Sequence, residues 1–417
     1  MSISTGGSPC AYVPPRRAVL DARRAGAWER VGGVPLVGRA LFHLREMGLE
    51  NILLLFPPGR DPKTLAHWVA GLEVEYLEAT ARFNYPDFGP AEETDRFLYL
   101  DAAHLVDPRI LRTLAAMPPP ALAFIRPSDP EAGLIRAGLL NGRDLHTLPE
   151  EDGIALAGRA GTLFPEDIEP FCPRTRGPRT PYFLEVDDAS GARFATWLLI
   201  RSQQKQIMDL PAQYLDPPVE NVLVYFLCRT PVTPNMVTLF CLMVAMGVGW
   251  LFWNGHFLFG ALGTLAVEIL DGVDGKLAWT RLRFSRLGAH EDVLDYLCEN
   301  GWYAALGVGL SATSAGPLPC LLATLLILAD TADNVFYTLA GRWYGKSIDL
   351  FSPIDAAFRR IAARRNIYGI MFIVGFSLGY PLPTFAAATA WGTVTAGIHG
   401  WRLIQYGKSG GKALGQA

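Results

Sequence analysis

Cysteine is scarce in this sequence, and the cysteines that are present are scattered. They are Cys10, Cys172, Cys228, Cys241, Cys298 and Cys320. Their spacing fits neither a metal site nor a disulfide framework, so we expect reduced thiols. The first residues lack the basic stretch and apolar core of a signal peptide, which predicts that the region after them stays in the cytoplasm. A net charge of −3 is too small to indicate a nucleic-acid partner.

Charge is scarce as well. Charged residues make up 18% of the 417 residues, and the mean hydropathy of +0.20 is unusual for a soluble protein. Apolar runs dominate after residue 233, whereas residues 1–215 are mixed and contain most of the acids. We therefore predict a cytoplasmic domain at residues 1–200, a linker with an interfacial helix at 201–233, a membrane domain at 234–405 and a flexible tail at 406–417.

The apolar runs of the second half predict an all-α domain of six transmembrane helices. The predicted spans are residues 235–253, 256–279, 288–311, 316–340, 366–380 and 383–404. Loops near residues 254, 313 and 381 contain no Lys or Arg, whereas loops at the other ends contain many. Because positive residues remain on the cytoplasmic side, we predict a multi-pass protein of the inner (cytoplasmic) membrane with both termini in the cytoplasm.

Two short segments precede the first span. Residues 214–229 have the pattern of an amphipathic helix in the membrane interface, with a plain connector as the alternative. Thr230–Thr238 contains two prolines and several threonines, which predict a stiff entry and a cap for the first span.

Acidic residues interrupt the second predicted span. Asp271 and Asp274 are three residues apart and so share one helix face. Gly272 and Gly275 beside them allow a ligand to approach the backbone closely. Acids are costly within a membrane, and their default interpretation there is functional. A solvated acidic helix end is the alternative.

The third predicted span carries a second set of acids. Asp292, Asp295 and Glu299 recur at steps of three and four, and Glu291 forms an overlapping stripe with the last two. Two antiparallel helices would point both acid faces at each other. Four carboxylates in one site need about two divalent cations, and oxygen-only ligands suit Mg²⁺ or Mn²⁺. The pattern predicts metal-assisted phosphoryl chemistry at the membrane surface.

The spacing of these residues resembles the signature of the CDP-alcohol phosphotransferases, Asp-x2-Asp-Gly-x2-Ala-Arg-x8-Gly-x3-Asp-x3-Asp. The residues that match in register are Asp271, Asp274, Gly275, Ala278 and Gly288. The resemblance covers about residues 205–405, and it includes the Thr230–Thr238 stretch and the plan of six spans.

The chain departs from this signature in two places. Trp279 stands where the family has Arg. Asp292 is in register, but Tyr296 follows where the closing acid belongs. We prefer Asp295 and Glu299 as the closing pair, because their spacing of four keeps both acids on one face.

The resemblance implies the transfer of a phospho-alcohol group. The implied ligands of two Mg²⁺ or Mn²⁺ ions are Asp271, Asp274, Asp292 and Asp295. These ions bind the diphosphate of a CDP-alcohol. Glu299 takes the proton of an acceptor hydroxyl, which attacks the β-phosphorus and releases CMP. The acceptor is a lipid or a polyol phosphate, and the further partners are membrane lipids and a second copy in a homodimer.

Further residues are implied to bind substrate. They are Thr233, Asn235, Thr238, Gly275, Ala278, Gly288, Arg364 and Arg365. For Arg364 and Arg365, which open the fifth span, the alternative is ordinary anchoring on the cytoplasmic side. For Asp330 and Asp333 in the fourth span, the sequence leaves both a structural and a functional role open.

The first half alternates short apolar strands with helices. Arg17–Asp21, Asn51–Phe56 and Arg96–Asp101 have the pattern of buried parallel strands, with helices at Gly38–Met47 and Pro108–Met117. This order predicts a doubly wound α/β domain.

This domain resembles the sugar-phosphate nucleotidyltransferases over about 170 residues. The similar stretches are Val31–Leu49 and Tyr182–Gly191, together with the aspartate Asp101 after the third predicted strand. The family's glycine-rich nucleotide turn is missing, because Leu20–Arg30 contains only Gly26 and cannot easily wrap a triphosphate. We therefore predict a degenerate domain without cytidylyltransferase activity.

Three functions remain open at this point. The first is a membrane CDP-alcohol phosphotransferase acting in phospholipid or polyol-phosphodiester synthesis. The second is a bifunctional enzyme that also makes the CDP-alcohol from CTP, with Asp101 and Asp187 as metal ligands rather than fold remnants. This fusion resembles the bifunctional inositol-phosphate cytidylyltransferase/di-inositol-phosphate phosphate synthases. The third, motivated by Trp279 and the shifted acids, is a catalytically silent membrane protein that binds a CDP-lipid.

Overall fold

A computed structural model gives the architecture of the chain. It describes residues 15, 17–49, 51–78, 95–147, 153–285, 290–313 and 316–409, with the backbone alone for residues 146, 147, 291 and 292. The predictions for Gly288, for the side chain of Asp292 and for the end of the tail lie outside the described residues. Internal contacts divide the chain into two compact units, Met1–Cys172 with Pro178–Leu199 and Pro173–Gly177 with Ile200–Ala417.

The elements up to residue 201 alternate between strands and helices. The strands are β1 (Arg17–Asp21), β2 (Arg30–Val31), β3 (Val34–Pro35), β4 (Asn51–Phe56), β5 (Glu73–Glu78), β6 (Arg96–Asp101), β7 (His104–Val106), β8 (Ala121–Ala123), β9 (Ala137–Asn141), β10 (Gly161–Leu163), β11 (Phe171–Cys172), β12 (Gly177–Pro178) and β13 (Phe183–Glu185). The helices are α1 (Leu36–Glu46), α2 (Ala66–Val69), α3 (Pro108–Ala116), α4 (Gly142–Thr147), α5 (Gly153–Arg159) and α6 (Ala189–Arg201).

A seven-stranded sheet in the order β10-β8-β9-β6-β1-β4-β5 forms the centre of the first unit, as far as its residues are described. Leu20 and Leu54 lie in the core on one face, and the neighbouring Val19 and Leu53 lie in the core on the other. Because successive strand residues point to opposite faces, both faces of the sheet are covered. The predicted α/β class is therefore present.

The predicted parallel strands are confirmed at β1, β4 and β6, which occupy the predicted ranges and run parallel. Strand β9 differs, since it runs antiparallel to both β6 and β8. Residues 124–136 before it contain no helix. A parallel return would need a helical crossover, so the sheet is mixed at this side rather than doubly wound throughout.

The second unit is helical. Its helices are α7 (Leu210–Tyr214), α8 (Asp216–Leu227), α9 (Pro234–Trp253), α10 (Phe257–Arg281), α11 (Glu291–Thr313), α12 (Leu318–Tyr344), α13 (Pro353–Phe358), α14 (Arg365–Ser377) and α15 (Pro381–Lys408). Thr233 caps α9, because its side chain accepts a hydrogen bond from the Met236 amide at 3.3 Å and Pro234 occupies the first turn. The predicted cap is therefore present.

Helices stand at the positions of all the predicted spans. Within the described residues, two of them, α9 and α12, are long and apolar enough to cross a membrane by length and composition. Acids lower the hydropathy of α10 and α11, and the 13 residues of α14 reach only about 20 Å. These two helices are consistent with a membrane protein, and the number of six spans stays a prediction.

Candidate active site

Helix α10 presents Asp274 to helix α9. Asp274 is 3% exposed and accepts a hydrogen bond from the hydroxyl of Thr238 at 2.5 Å. The structure therefore brings together a predicted metal ligand and a predicted substrate-binding residue. Thr238 lies one turn after the cap of α9, so the rigid start of that helix fixes the hydroxyl that orients the carboxylate.

One arginine gathers the acids of α10 and α11. Arg365, the first residue of α14, pairs with Asp271 of α10. Its other terminal nitrogen lies 3.4 Å from Asp295 and 3.2 Å from Glu299, both on α11. The acid faces of the two helices thus converge, as their spacing predicted. A single guanidinium faces three carboxylates, which leaves the cluster with an excess of negative charge.

Glu268 is an acid that the sequence analysis did not single out. It lies one turn before Asp271 and is 4% exposed. Within the described residues, neither of its carboxylate oxygens has a hydrogen-bond partner. A buried carboxylate without a partner is costly, so this residue suits a site that receives a cation or hydroxyl groups. Its signal was its place three residues before Asp271 on the same helix face.

These acids share a polar cavity of about 630 Å³. Its acidic lining consists of Asp209, Asp216, Glu220, Glu268, Asp271, Asp295, Glu299 and Asp330. Its basic lining consists of Arg176, Lys205, Arg359, Arg364 and Arg365. The two signs of charge within one cavity suit a ligand that carries both phosphate groups and either hydroxyl groups or bound cations.

Arg364 is held by a buried network at the start of α14. It lies 3.5 Å from one oxygen of Asp333, whose other oxygen is 2.5 Å from Nδ1 of His399. Its guanidinium also lies over the ring of Tyr337 at 4.4 Å. Asp333 therefore has a structural role, whereas Asp330 lines the cavity.

Arg176 lines the cavity. It lies in the segment Pro173–Gly177, which belongs to the second unit but is outside the motifs of the membrane domain. Its φ of 53° is left-handed, a conformation that a non-glycine residue keeps only where its surroundings hold it. Thr175 beside it is fully buried and accepts a hydrogen bond from the Gln206 amide at 2.8 Å. Arg176 itself lies 3.2 Å from the buried Asp349. No sequence pattern could have placed Arg176 in this cavity, because it is far along the chain from the acids of α10 and α11.

The two glycines of the motif have different roles. A Cβ at Gly272 would lie 2.0 Å from a carboxylate oxygen of Glu220 on α8, so helix packing requires this glycine. Gly272 also lines the cavity, so its role in admitting a ligand stays a prediction. A Cβ at Gly275 would meet none of the described atoms within 4 Å, which leaves room beside Asp274.

Glu220 belongs to a buried polar cluster between α8 and α10. It pairs with Lys276 at 2.6 Å, and Lys276 also donates to Gln204 and Asn221. Burial, with repulsion from Glu220 and Asp209, raises the pKa of Asp216 at the start of α8 to about 6. This cluster fixes α8 against the helix that carries the motif.

Trp279 has an arginine against it. The guanidinium of Arg174 lies over the Trp279 ring at 4.4 Å. A positive charge therefore stands beside the position where the resembled family carries its own arginine. Arg174 comes from the same turn as Arg176.

Other predicted substrate-binding residues lie apart from the acids. Asn235 accepts a hydrogen bond from Ser285 at 2.6 Å, and Ala278 offers its carbonyl to the Arg283 amide at the end of α10. Thr233 is occupied as the cap of α9. A role in substrate binding stays a prediction for all three.

The donor set fits a hard divalent cation by its chemistry. Asp271, Asp274, Asp295 and Glu299 offer oxygen ligands alone. Among the described residues, the partnerless carboxylate of Glu268 lines the same cavity as Asp271, Asp295 and Glu299, and Asp274 lines a second, small pocket with Asp271 and Asp295. In this conformation no three His, Cys, Asp or Glu side chains of the described ranges are arranged to coordinate one ion. Arg365 supplies the positive charge among them.

Similar known proteins indicate the reaction class of this site. Residues 231–398 match the family model of CDP-alcohol phosphatidyltransferases. This part of the chain is a CDP-alcohol phosphatidyltransferase domain. The predicted family resemblance is confirmed, and the protein is a transferase of the CDP-alcohol type.

Two further proteins are similar to the phosphotransferase. A protein of Rubrobacter xylanophilus described as "Bifunctional IPC transferase and DIPP synthase" is 27% identical over 417 aligned positions, which cover 88% of this chain and 89% of the relative. The solved inositol-1-phosphate CTP transferase from T. maritima is 14% identical, with a TM-score of 0.30 over 43% of this chain and 92% of that one.

Proposed function

We propose that the acids of α10 and α11 carry out the transfer of a phospho-alcohol group from a CDP-alcohol to an acceptor hydroxyl. The observation that supports this most directly is the convergence of Asp271, Asp295 and Glu299 on Arg365 in one cavity. The family of residues 231–398 supplies the reaction class.

In this proposal Asp271, Asp274 and Asp295, with Asp292, hold two Mg²⁺ or Mn²⁺ ions. When bound, the ions would neutralise the diphosphate and stabilise the charge that develops on the departing CMP. Thr238 orients Asp274 through its hydrogen bond, and the packed start of α9 keeps that hydroxyl in place.

Glu299 acts as the general base. The acceptor hydroxyl gives its proton to Glu299 while its oxygen forms a bond to the β-phosphorus. The bond between that phosphorus and the bridging oxygen breaks, and CMP leaves with the bridging oxygen. The products are CMP and a phosphodiester that joins the alcohol to the acceptor.

The basic wall of the cavity supports an acceptor that itself carries a phosphate, and we propose a polyol phosphate. Arg176, Lys205 and Arg359 line the cavity together with Arg364 and Arg365. Arginine forks bind phosphate oxygens through two parallel hydrogen bonds.

We further propose the membrane arrangement that the loop charges predict, with six spans, both termini in the cytoplasm and a homodimer formed through the membrane helices. The cavity then opens toward the cytoplasm, because its basic lining lies at the positive ends of the helices. The proposed domains are residues 1–200, 201–233, 234–405 and 406–417.

A bifunctional enzyme is the second candidate, and the name of the relative favours it. It would use CTP and an alcohol phosphate to make the donor in the first unit. Release of pyrophosphate from CTP by the purified protein distinguishes it from an enzyme that carries out the transfer alone.

The test of the main proposal is CMP release by the purified full chain. We expect release from at least one member of a panel of CDP-diacylglycerol and CDP-polyols, with dependence on Mg²⁺ or Mn²⁺ and loss on chelation. Asp274→Ala reduces release to background, whereas Glu46→Gln, at an exposed acid of α1, leaves it unchanged. Metal-dependent release that is undiminished in Asp274→Ala would overturn the assignment of the site.

A further inference from the structure

Arg24 contacts three acids of the first unit. Its guanidinium lies 3.0 Å from Asp101 and 2.6 Å from Glu185, and it also pairs with Asp187. Asp101 ends β6, and Glu185 ends β13. The two aspartates that could have served as metal ligands are therefore joined by the exposed guanidinium of Arg24.

The acids of this cluster already have protein partners. Arg24 contacts Asp101, Glu185 and Asp187 at once. Asp101 also accepts a hydrogen bond from the Ala103 amide at 2.9 Å, and Nδ1 of His104 lies 3.4 Å from its carboxylate.

The turn after β1 is closed by packing. A Cβ at Gly26 would lie 1.7 Å from the carbonyl oxygen of Val186, immediately before Asp187. Ala22 and Ala27 are fully buried, and the Trp28 ring nitrogen donates to the Ala22 carbonyl at 2.8 Å. The single glycine of this turn therefore serves a close approach of two backbones. A triphosphate needs free backbone amides in such a turn, and the amides of Ala22, Arg23 and Ala27 are already hydrogen-bonded within the fold.

We infer that Arg24 takes the place of a divalent metal ion and that the first unit neither binds such an ion at Asp101 and Asp187 nor uses CTP. The acids and the arginine form a structural site that fixes β13 beside β6. If the proposed transfer holds, a separate enzyme must supply its donor. That enzyme joins an alcohol phosphate to the α-phosphorus of CTP, breaks the α–β phosphoanhydride bond and releases pyrophosphate.

Mn²⁺ binding by the purified full chain tests this inference. Free Mn²⁺ is measured by electron paramagnetic resonance for the wild type, Asp101→Asn, Arg24→Ala and the double variant Arg24→Ala/Asp101→Asn. We expect Asp101→Asn to bind as many ions as the wild type. Arg24→Ala binds one ion more, and the double variant loses that additional ion. Arg24→Lys, which keeps the charge, gains none.

Two results would overturn the inference. One is a loss of one Mn²⁺ ion in Asp101→Asn relative to the wild type, a result that does not depend on whether Arg24→Ala folds. The other is pyrophosphate release from CTP and an alcohol phosphate that Asp101→Asn abolishes. CMP release from a CDP-alcohol, which should be equal in all these proteins, reports on the second unit, so failure of the transfer proposal is recognised separately.

Discussion

The guanidinium of Arg365 lies 3.2 Å from the carboxylate of Glu299. A residue predicted to bind phosphate and the residue predicted to act as base therefore occupy one site. Arg365 also reaches Asp271 and Asp295, so it fixes the distance between the acid faces of α10 and α11. An acceptor that carries a phosphate would meet Arg365 and place its hydroxyl near Glu299 at the same time.

Substitution of Arg365 tests this double role. Arg365→Lys keeps the charge but lacks the planar fork that contacts several carboxylates at once, so we expect kcat for CMP release to fall about 10²-fold. Arg365→Met leaves partly buried carboxylates unpaired, and we expect a further loss with a lower Tm. Arg342→Lys at an exposed position of α12 is the matched control. Wild-type rates in both Arg365 variants would refute the shared site.

Substitutions of Arg174 and Trp279 test whether Arg174 supplies the positive charge that the resembled family carries at position 279. Arg174→Met removes a positive charge beside the motif position, and an exposed charge interaction contributes about 0.2–1 kcal/mol, so KM for the CDP-alcohol should rise up to about fivefold. The double variant Arg174→Met/Trp279→Arg restores the charge at the motif position and should recover KM. Arg229→Met removes a comparable contact with Tyr225 elsewhere in the unit and should change nothing. Failure of the double variant to recover would leave Arg174 without a role at the nucleotide.

Substitution of Glu268 distinguishes a role in the reaction from a role in stability. Its carboxylate is buried without a hydrogen-bond partner among the described residues, so the neutral Glu268→Gln should unfold at the same or a higher temperature. We expect CMP release to fall at least tenfold in this variant, because the acid faces the reaction cavity. Unchanged turnover together with a lower Tm would indicate a purely structural residue.

The raised pKa of Asp216 predicts that the stability of the protein depends on pH. Burial raises its pKa to about 6, so its neutral form stabilises the fold at acid pH and this contribution is lost as the pH rises through 6. The contribution changes between the unfolded pKa of 3.8 and the folded pKa of about 6. Asp216→Asn should therefore increase Tm by a few degrees at pH 8 and by roughly half as much at pH 5. An equal shift at both pH values would contradict the raised pKa.

Local patterns predicted much of the fold. The apolar runs of β1, β4 and β6 are buried on both faces, and such runs are readable from sequence. The cap at Thr233 and the convergence of Asp271 with Glu299 follow from short spacings along single helices. These features depend on neighbours in the chain.

Contacts between residues far apart in the chain determine the rest of the fold and of the site. The close packing of Glu220 from α8 against Gly272 could not be predicted from the motif. Arg174 and Arg176 come to the helical unit from a turn far from the motif, and no periodicity marks them. Antiparallel β9 likewise depends on a missing crossover helix rather than on its own residues.

The central claim is that the acids of α10 bind the nucleotide's diphosphate through divalent metal ions, while α11 supplies the base. The most direct measurement is Mn²⁺-dependent binding of CDP and release of CMP by Asp274→Asn and Glu299→Gln, each compared with the wild type. We predict that Asp274→Asn loses Mn²⁺-dependent CDP binding, whereas Glu299→Gln binds CDP as the wild type does and releases CMP at least 10²-fold more slowly. Wild-type binding and release in both variants would contradict the account.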